Sequence, residues 1–142
     1  MTVQQVYDMA VHLLDEQNEG NGETVTVDTQ EYKFRTISIL NTVIPVVYPY
    51  SDTYDTEGEG RPVPPLLDIG TSYKNPDFLQ EIGLDDTICA AVLPLYLAAQ
   101  LIFAENEALA QWFMSRYQIA LADVKNKIPG VFKPIATPYG LF

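Results

Sequence analysis

The chain has 142 residues, 47% of them hydrophobic, which is enough to form one domain around a single core. Nineteen acidic residues against eight basic ones give a formal net charge of −11. Binding to a nucleic-acid backbone needs clustered Lys and Arg, so this charge disfavours nucleic acid and favours a basic protein partner. The excess is concentrated in residues 1 to 60, which hold eleven carboxylates beside only Lys33 and Arg35.

Other classes of protein are disfavoured by particular residues. Cys89 is the only cysteine, which excludes an intrachain disulfide and a zinc site built on several thiolates. It lies in an apolar helical stretch, so we expect a buried thiol. No apolar run reaches the roughly 18 residues of a membrane span, and no secretory signal opens the chain. We therefore expect a soluble protein in a reducing environment, without a membrane partner.

The first half of the sequence predicts two helices. Thr2 and Gln5 have the spacing of a capping box and precede an apolar stripe typical of an amphipathic helix. This helix should end near Asn18, because glycine and asparagine follow. Asp28 and Glu31 repeat the same spacing before a second helix, which Pro45 should kink or end early.

The middle of the sequence predicts a long acidic loop at 48–65, because this stretch is polar and rich in helix breakers. Residues 64–69 are expected to lay a short extended segment on the core. Residues 75–82 begin with Asn-Pro-Asp and are expected to form a helix of one or two turns, ended by Gly83.

Helical patterning then runs from Asp85 to Ile128 and is split once, at 105–107. Asp85 or Asp86 should cap a third helix that Pro94 bends, and Asn106 should cap the last helix. The sequence thus predicts an all-α fold: a compact bundle of four main helices in a single domain at 1–130, with the long loop at its centre and an extended C-terminal tail at 131–142.

No catalytic constellation is found. The loop carboxylates Asp52, Asp55, Glu57 and Glu59 could attract calcium or magnesium, but their spacing does not reproduce the twelve-residue calcium loop, and such residues more often serve solvation. His12 lies off the apolar stripe of its helix and is expected to be exposed. No serine lies in a catalytic motif and no glycine-rich phosphate loop follows a strand. We therefore expect no enzyme, no cofactor and no metal.

Aromatic residues outside the helices indicate a protein interface, because interfaces favour exposed aromatic side chains. The alternative is that these rings fold back over their own helices. The candidates in the long loop and the tail are Tyr48, Tyr50, Tyr54, Phe132, Tyr139 and Phe142.

Nearly the whole chain resembles the small head-tail connector (adaptor) proteins of tailed bacteriophages and prophages. The likeness lies in apolar periodicity marked by a few polar residues. The matching stretches are Val6-Tyr-Asp-Met-Ala-Val-His-Leu-Leu14, Tyr32-x-x-Arg35 leading to Ile39-Leu40-Asn41, Leu93-Pro-Leu-Tyr-Leu-Ala-Ala99, Glu105-Asn106, and Ala110-x-x-Phe113-x-x-x-Tyr117.

The resemblance implies a structural protein that forms a homo-oligomeric ring beneath the portal, binds portal and tail-completion proteins, and resides in the virion after synthesis in the bacterial cytoplasm. It implies no catalytic residues. An acidic channel wall would let DNA slide without sticking, because like charges suppress phosphate contacts. This hypothesis places the carboxylates of residues 8–31 or 52–59 on the channel. The 48–65 loop is longer and more acidic than the resemblance implies, and an intersubunit arm is the alternative role for it.

Two other functions stay open at this level. One is an acidic helical regulatory module that masks a basic partner, as an antitoxin or inhibitor would. The other is a metal-assisted enzyme that uses the loop carboxylates. A defined oligomer larger than a tetramer favours the connector, a monomer or dimer favours the regulator, and tight cation binding favours the enzyme.

Overall fold

The computed structural model describes residues 1–17, 27–55, 58, 60, 62–70 and 76–126, with the backbone alone for 15–17 and 27–30. These residues form an all-α fold, as predicted. The predicted third helix corresponds to two consecutive helices, Asp86–Ala91 and Leu93–Ile102, so the bundle has four main helices when these two are counted together. The elements are α1 (Val3–Gln17), α2 (Val27–Val47), a 3-10 turn (Tyr48–Tyr50), α3 (Asp86–Ala91), α4 (Leu93–Ile102) and α5 (Glu107–Asn126).

Helix α4 is the centre of the bundle. Its sequence is apolar on almost every side, and a helix of that kind is stable only when other elements cover it all round. Helices α1, α2, α3 and α5 all pack against it. The α4 residues buried by this packing are Leu93, Pro94, Leu97, Ala98, Ala99, Leu101 and Ile102.

The third predicted helix is broken rather than bent, which corrects the sequence-based prediction. Asp85 caps its start, since the Ile88 N–H donates to the Asp85 carboxylate at 2.9 Å. Val92, with φ −111° and ψ −51°, then separates α3 from α4, and Pro94 falls in the first turn of α4. Proline has no N–H to donate, so the first turn of a new helix accommodates it at less cost than a helix interior.

The second helix continues past its proline. Helix α2 begins at Val27, one residue before the predicted cap Asp28, and runs through Pro45 to Val47. Tyr48–Tyr50 follow as a 3-10 turn inside the segment predicted to be irregular. The expected early end is therefore delayed by two residues. Only two residues of the helix follow Pro45, so the proline disturbs few helical hydrogen bonds.

The predicted short helix at 75–82 is wrong for its described residues, 76–82, which form a turn at 78–79 and an isolated bridge between Glu81 and Thr2. Their carbonyl groups serve α1 instead: the Gln4 N–H donates to the Phe78 carbonyl at 2.9 Å, and the Val3 N–H donates to the Gln80 carbonyl at 3.2 Å. The first N–H groups of a helix have no partner inside it. Residues 78–82 therefore cap α1, together with the predicted box, in which the Thr2 N–H donates to the Gln5 side chain at 2.9 Å.

The segment that follows the long loop returns to the core through a contact between Leu67 and Asn41. The Leu67 N–H donates to the Asn41 side-chain oxygen at 2.7 Å, and the Asn41 amide donates to the Leu67 carbonyl at 3.1 Å. Leu67 is buried as a result, but Leu66 and Ile69 on either side are exposed. Gly83 is required by a close approach, because a Cβ at this position would lie 2.7 Å from the Cβ of Pro65.

The last helix begins as predicted. The Leu109 N–H donates to the Asn106 side chain at 3.1 Å, which caps α5. Ala110, Phe113, Tyr117 and Val124 form its buried side.

Replacing the central Leu97, which is fully buried, tests the role of α4. Leu97→Ala should lower the free energy of unfolding by about 2–5 kcal/mol, because it removes buried methyl groups and leaves a cavity. Urea denaturation followed by circular dichroism measures the loss. The exposed Gln118→Ala on α5 is the control and should stay within about 0.5 kcal/mol of wild type. Equal stability of the two variants would contradict the central position of α4.

Candidate protein interface

The loop tyrosines predicted as interface residues have different positions in the structure. Tyr48 is 7% exposed and belongs to the core. Tyr54 packs on it edge to face, with ring centroids 5.0 Å apart. For these two rings the alternative prediction, that loop aromatics fold back over their own helices, describes the structure. Tyr48 presents no free ring surface to a partner because the turn after α2 directs it inward.

The start of the loop is fastened to the beginning of α3. Ser51 is buried, and its hydroxyl accepts from the Asp85 N–H at 3.0 Å. The Thr53 hydroxyl donates to the Gly83 carbonyl at 2.7 Å, and the Asp52 N–H donates to the Asp85 carboxylate at 3.0 Å. Residues 48–55 are thus held on their own bundle.

Tyr50 remains a surface residue and lies beside the end of α5. Its ring is 36% exposed, and the Lys125 ammonium lies 5.4 Å from the ring centroid. Helix α5 ends at Asn126, so Tyr50 and the start of the loop lie at the end of the bundle where α5 ends. The tail candidates Phe132, Tyr139 and Phe142 lie outside the described residues.

Every Lys and Arg side chain in the described part of the chain lies over an aromatic ring. None of these four cations forms a salt bridge with a described carboxylate. The salt bridges there join the Met1 amine to Glu81 at 3.3 Å and to Asp86 at 3.0 Å. The pairs of cation and ring are Lys33 over Tyr7 and Phe78, Arg35 over Tyr32, Arg116 over Trp112 and Lys125 over Tyr50.

The structure exposes two groups of apolar side chains that the sequence reasoning missed. Trp112 and Ile119 lie on α5, 45% and 58% exposed, on the side away from its buried stripe. Their spacing of seven residues, two helical turns, is a sequence signal for one shared face. The second group lies on the loops and includes Leu66, Ile69 and Leu79. No periodic pattern marks this group, because irregular segments bring it together.

Three of the polar residues in the stretches that resemble connectors, Tyr32, Arg35 and Glu105, lie together at the other end of the bundle. The Tyr32 hydroxyl donates to the Glu105 carboxylate at 2.7 Å, across 73 residues of sequence. Arg35 stacks on the Tyr32 ring and donates to the Leu101 carbonyl at 3.3 Å, near the C-terminal end of α4. A cation is favourable there because the helix dipole is negative at that end. These contacts clamp α2 to the turn between α4 and α5.

The remaining reactive groups do not form a catalytic arrangement within the described ranges. His12 is exposed, and Cys89 is buried at 0% exposure. Burial raises the pKa of the Cys89 thiol to about 11, so it stays protonated and unreactive at neutral pH. No three His, Cys, Asp or Glu side chains there are grouped to hold a metal ion; Glu57 and Glu59 fall outside the described residues. A groove of about 410 Å³ beside Lys33 and Asp77 contains no nucleophile and base pair.

In the part of the chain that the structure describes, no helix has the length and apolar character needed to cross a membrane. Comparison with protein-family models, curated proteins and solved structures found no match.

Tyr48 and Tyr50 form a matched pair that separates core from surface roles. Tyr48→Ala should lower the free energy of unfolding by about 3 kcal/mol, because a buried ring is lost. Tyr50→Ala should cost no more than about 1 kcal/mol, the value of an exposed contact between a cation and a ring. Chemical denaturation monitored by fluorescence compares the two. A larger loss at Tyr50 than at Tyr48 would show that the placement of the two rings is wrong.

Proposed function

We propose that this protein is a structural virion protein, a head-tail connector that assembles as a homo-oligomeric ring beneath the portal of a tailed phage or prophage. In this role it binds copies of itself, the portal and a tail-completion protein, and it catalyses no reaction. It is made in the cytoplasm of a bacterial host and acts at the head-tail interface.

The clamp between α2 and the α4–α5 turn is the observation that carries this proposal. Apolar periodicity alone is weak support for a family resemblance, because any helical bundle has it. The polar residues within the matching stretches are more informative. The Tyr32 hydroxyl donates to Glu105 at 2.7 Å, and Arg35 donates to the Leu101 carbonyl at the end of α4 at 3.3 Å. These matching residues are far apart in sequence and form one cluster of contacts in this fold.

Exposed apolar side chains support assembly as the mode of action. Large side chains such as Leu79, 81% exposed, and Trp112 cost free energy in water unless a second surface covers them. Tyr50 adds an aromatic ring at the end of the bundle from which the chain continues toward the tail. A ring of copies covers such surfaces in every subunit.

The charge distribution suits a conduit for DNA. Asp8, Glu31, Asp52 and Asp55 are exposed, and they belong to the two acidic stretches expected at a channel wall. A wall of carboxylates repels phosphates and prevents the passing duplex from binding. A ring structure with all of these carboxylates on its outer surface would refute this part of the proposal.

A second function, an acidic module that masks a basic partner, is favoured by the same exposed carboxylates. The two functions predict different assemblies. A connector forms a closed oligomer larger than a tetramer, whereas a masking module acts as a monomer or dimer. Native mass spectrometry of the purified chain distinguishes them.

Deleting residues 131–142 tests whether the tail is covered by a neighbouring copy. Wild type should give a closed oligomer larger than a tetramer, and the truncated chain should be monomeric by light scattering coupled to size exclusion. The melting temperature of the truncated monomer should match that of a dilute wild-type monomer, because a tail that binds in trans adds nothing to one copy.

A second variant keeps the tail at full length and changes only its aromatic rings. In it, Phe132, Tyr139 and Phe142 are replaced by Ser. This variant should also lose assembly. A truncated chain that assembles normally would show that the tail is not needed between copies. A truncated chain that melts well below the wild-type monomer would show that the tail packs on its own bundle.

A further inference from the structure

The outer side of α5 is exposed and carries two large apolar side chains around one cation, with the exposed Asp123 one turn beyond Ile119. Trp112, Arg116 and Ile119 follow one another at spacings of four and three residues, so their side chains are neighbours on the helix surface. The Arg116 guanidinium lies 5.1 Å from the centroid of the Trp112 ring. In the described part of the chain it makes no salt bridge. These three residues are called the α5 face below.

A second surface combines exposed apolar residues with carboxylates. Gln80 ties two loops together: its side chain accepts from the Asp68 N–H at 2.9 Å and donates to the carbonyls of Asp68 and Asp77, both at 2.9 Å. Ile69 and Leu79 project beside this junction, 58% and 81% exposed. The four residues Asp68, Ile69, Asp77 and Leu79 are called the two-loop surface below.

The carboxylates of the two-loop surface are available to an external cation. Asp68 accepts from the Gly70 N–H at 2.8 Å and Asp77 accepts from the Leu79 N–H at 3.0 Å, and both side chains are exposed. Neither forms a salt bridge with a described side chain, and Lys33 lines the same groove as Asp77. A carboxylate has about four acceptor positions, so one bond to an N–H leaves room for a guanidinium.

The two surfaces are on different parts of the bundle. The loops lie over α1 and α2, where Asn41 holds Leu67 and the Gln4 N–H holds the Phe78 carbonyl. The α5 face belongs to a helix whose main packing partner is α4. Both surfaces are exposed in a single copy, so only a second copy can bring them together.

We propose that the α5 face of one copy binds the two-loop surface of the next copy, and that this contact builds the ring. The inference rests on the proposed function and names the surfaces that assembly uses. Trp112 and Ile119 pack against Ile69 and Leu79, and Arg116 pairs with Asp68 or Asp77. Trp and Arg are the residues that most often dominate the binding energy of an interface.

Charge favours this pairing, because the Arg116 guanidinium of one copy meets the Asp68 or Asp77 carboxylate of the next. The pairing joins opposite charges in a chain whose net charge of −11 otherwise drives copies apart. A contact between two different surfaces repeats from copy to copy, and it closes into a ring when the rotation allows.

Blocking each surface separately tests the contact. The first variant, Trp112→Ser with Arg116→Glu, removes the α5 face and leaves the two-loop surface intact. The second, Ile69→Ser with Leu79→Ser, does the reverse. All four residues are exposed, so both variants should fold with the helical content of wild type. Each variant alone should be monomeric by native mass spectrometry at concentrations where wild type forms its ring.

Mixing the two variants should restore one contact and no more. The intact α5 face of the second variant binds the intact two-loop surface of the first, which gives a one-to-one heterodimer. The control variant Gln118→Ala, exposed elsewhere on α5, should form the wild-type ring. If the first double variant lowers the helical content, the single variant Ile119→Ser replaces it. If the second does, the single variant Leu79→Ser replaces it.

The other outcomes separate failure of this contact from failure of the proposed function. Rings that persist in either variant would overturn the assignment of the surfaces and leave the connector function standing. A first variant that still dimerises by itself would also overturn it. A third outcome would overturn both this contact and the connector function. It is a wild-type chain that stays monomeric up to about 1 mM.

Discussion

Helix α4 has almost no polar side, and the arrangement of the other helices follows from the need to cover it. A fully apolar helix in water exposes its whole circumference, so burial on one side is not sufficient. Helices α1, α2, α3 and α5 together exclude water from Leu93, Leu97 and Leu101. The loops that follow α2 are fixed by the same requirement, since Leu67 and Phe78 complete the cover over α1 and α2.

Electrostatics set the second constraint. The chain has far more carboxylates than cations, and in its described part each Lys or Arg lies over a ring instead of pairing with an acid. The acidic surface is therefore not neutralised from within. A carboxylate-bearing surface would be favoured electrostatically where it meets a cation of this chain such as Arg116 or Lys125.

Polar contacts join distant segments at both ends of the bundle. At one end, Asp85 caps α3 and also holds Asp52, so the start of the loop and the start of the helix are fixed together. At the other end, Tyr32 reaches Glu105 and fixes α2 to the α4–α5 turn. Both ends of the bundle are therefore fastened by contacts between residues far apart in sequence.

Local features of the sequence were sufficient for the starts of three helices. Thr2 with Gln5, Asp85 and Asn106 each cap the helix predicted for them, because a cap depends on residues three positions apart. The apolar stripes placed Cys89 inside and His12 outside for the same reason: helical periodicity is a local property.

The tertiary structure decided whatever depended on residues far apart in sequence. The turns at 76–82 form because their carbonyls are bound by the free N–H groups of α1, which no local pattern reveals. Tyr48 enters the core because the turn after α2 directs it there, whereas Tyr50, two residues later, meets Lys125 at the surface. The candidate contact surfaces arose in the same way: Asp68 and Asp77 are neighbours only because Gln80 binds both of their loops, and local periodicity cannot predict a contact of that kind.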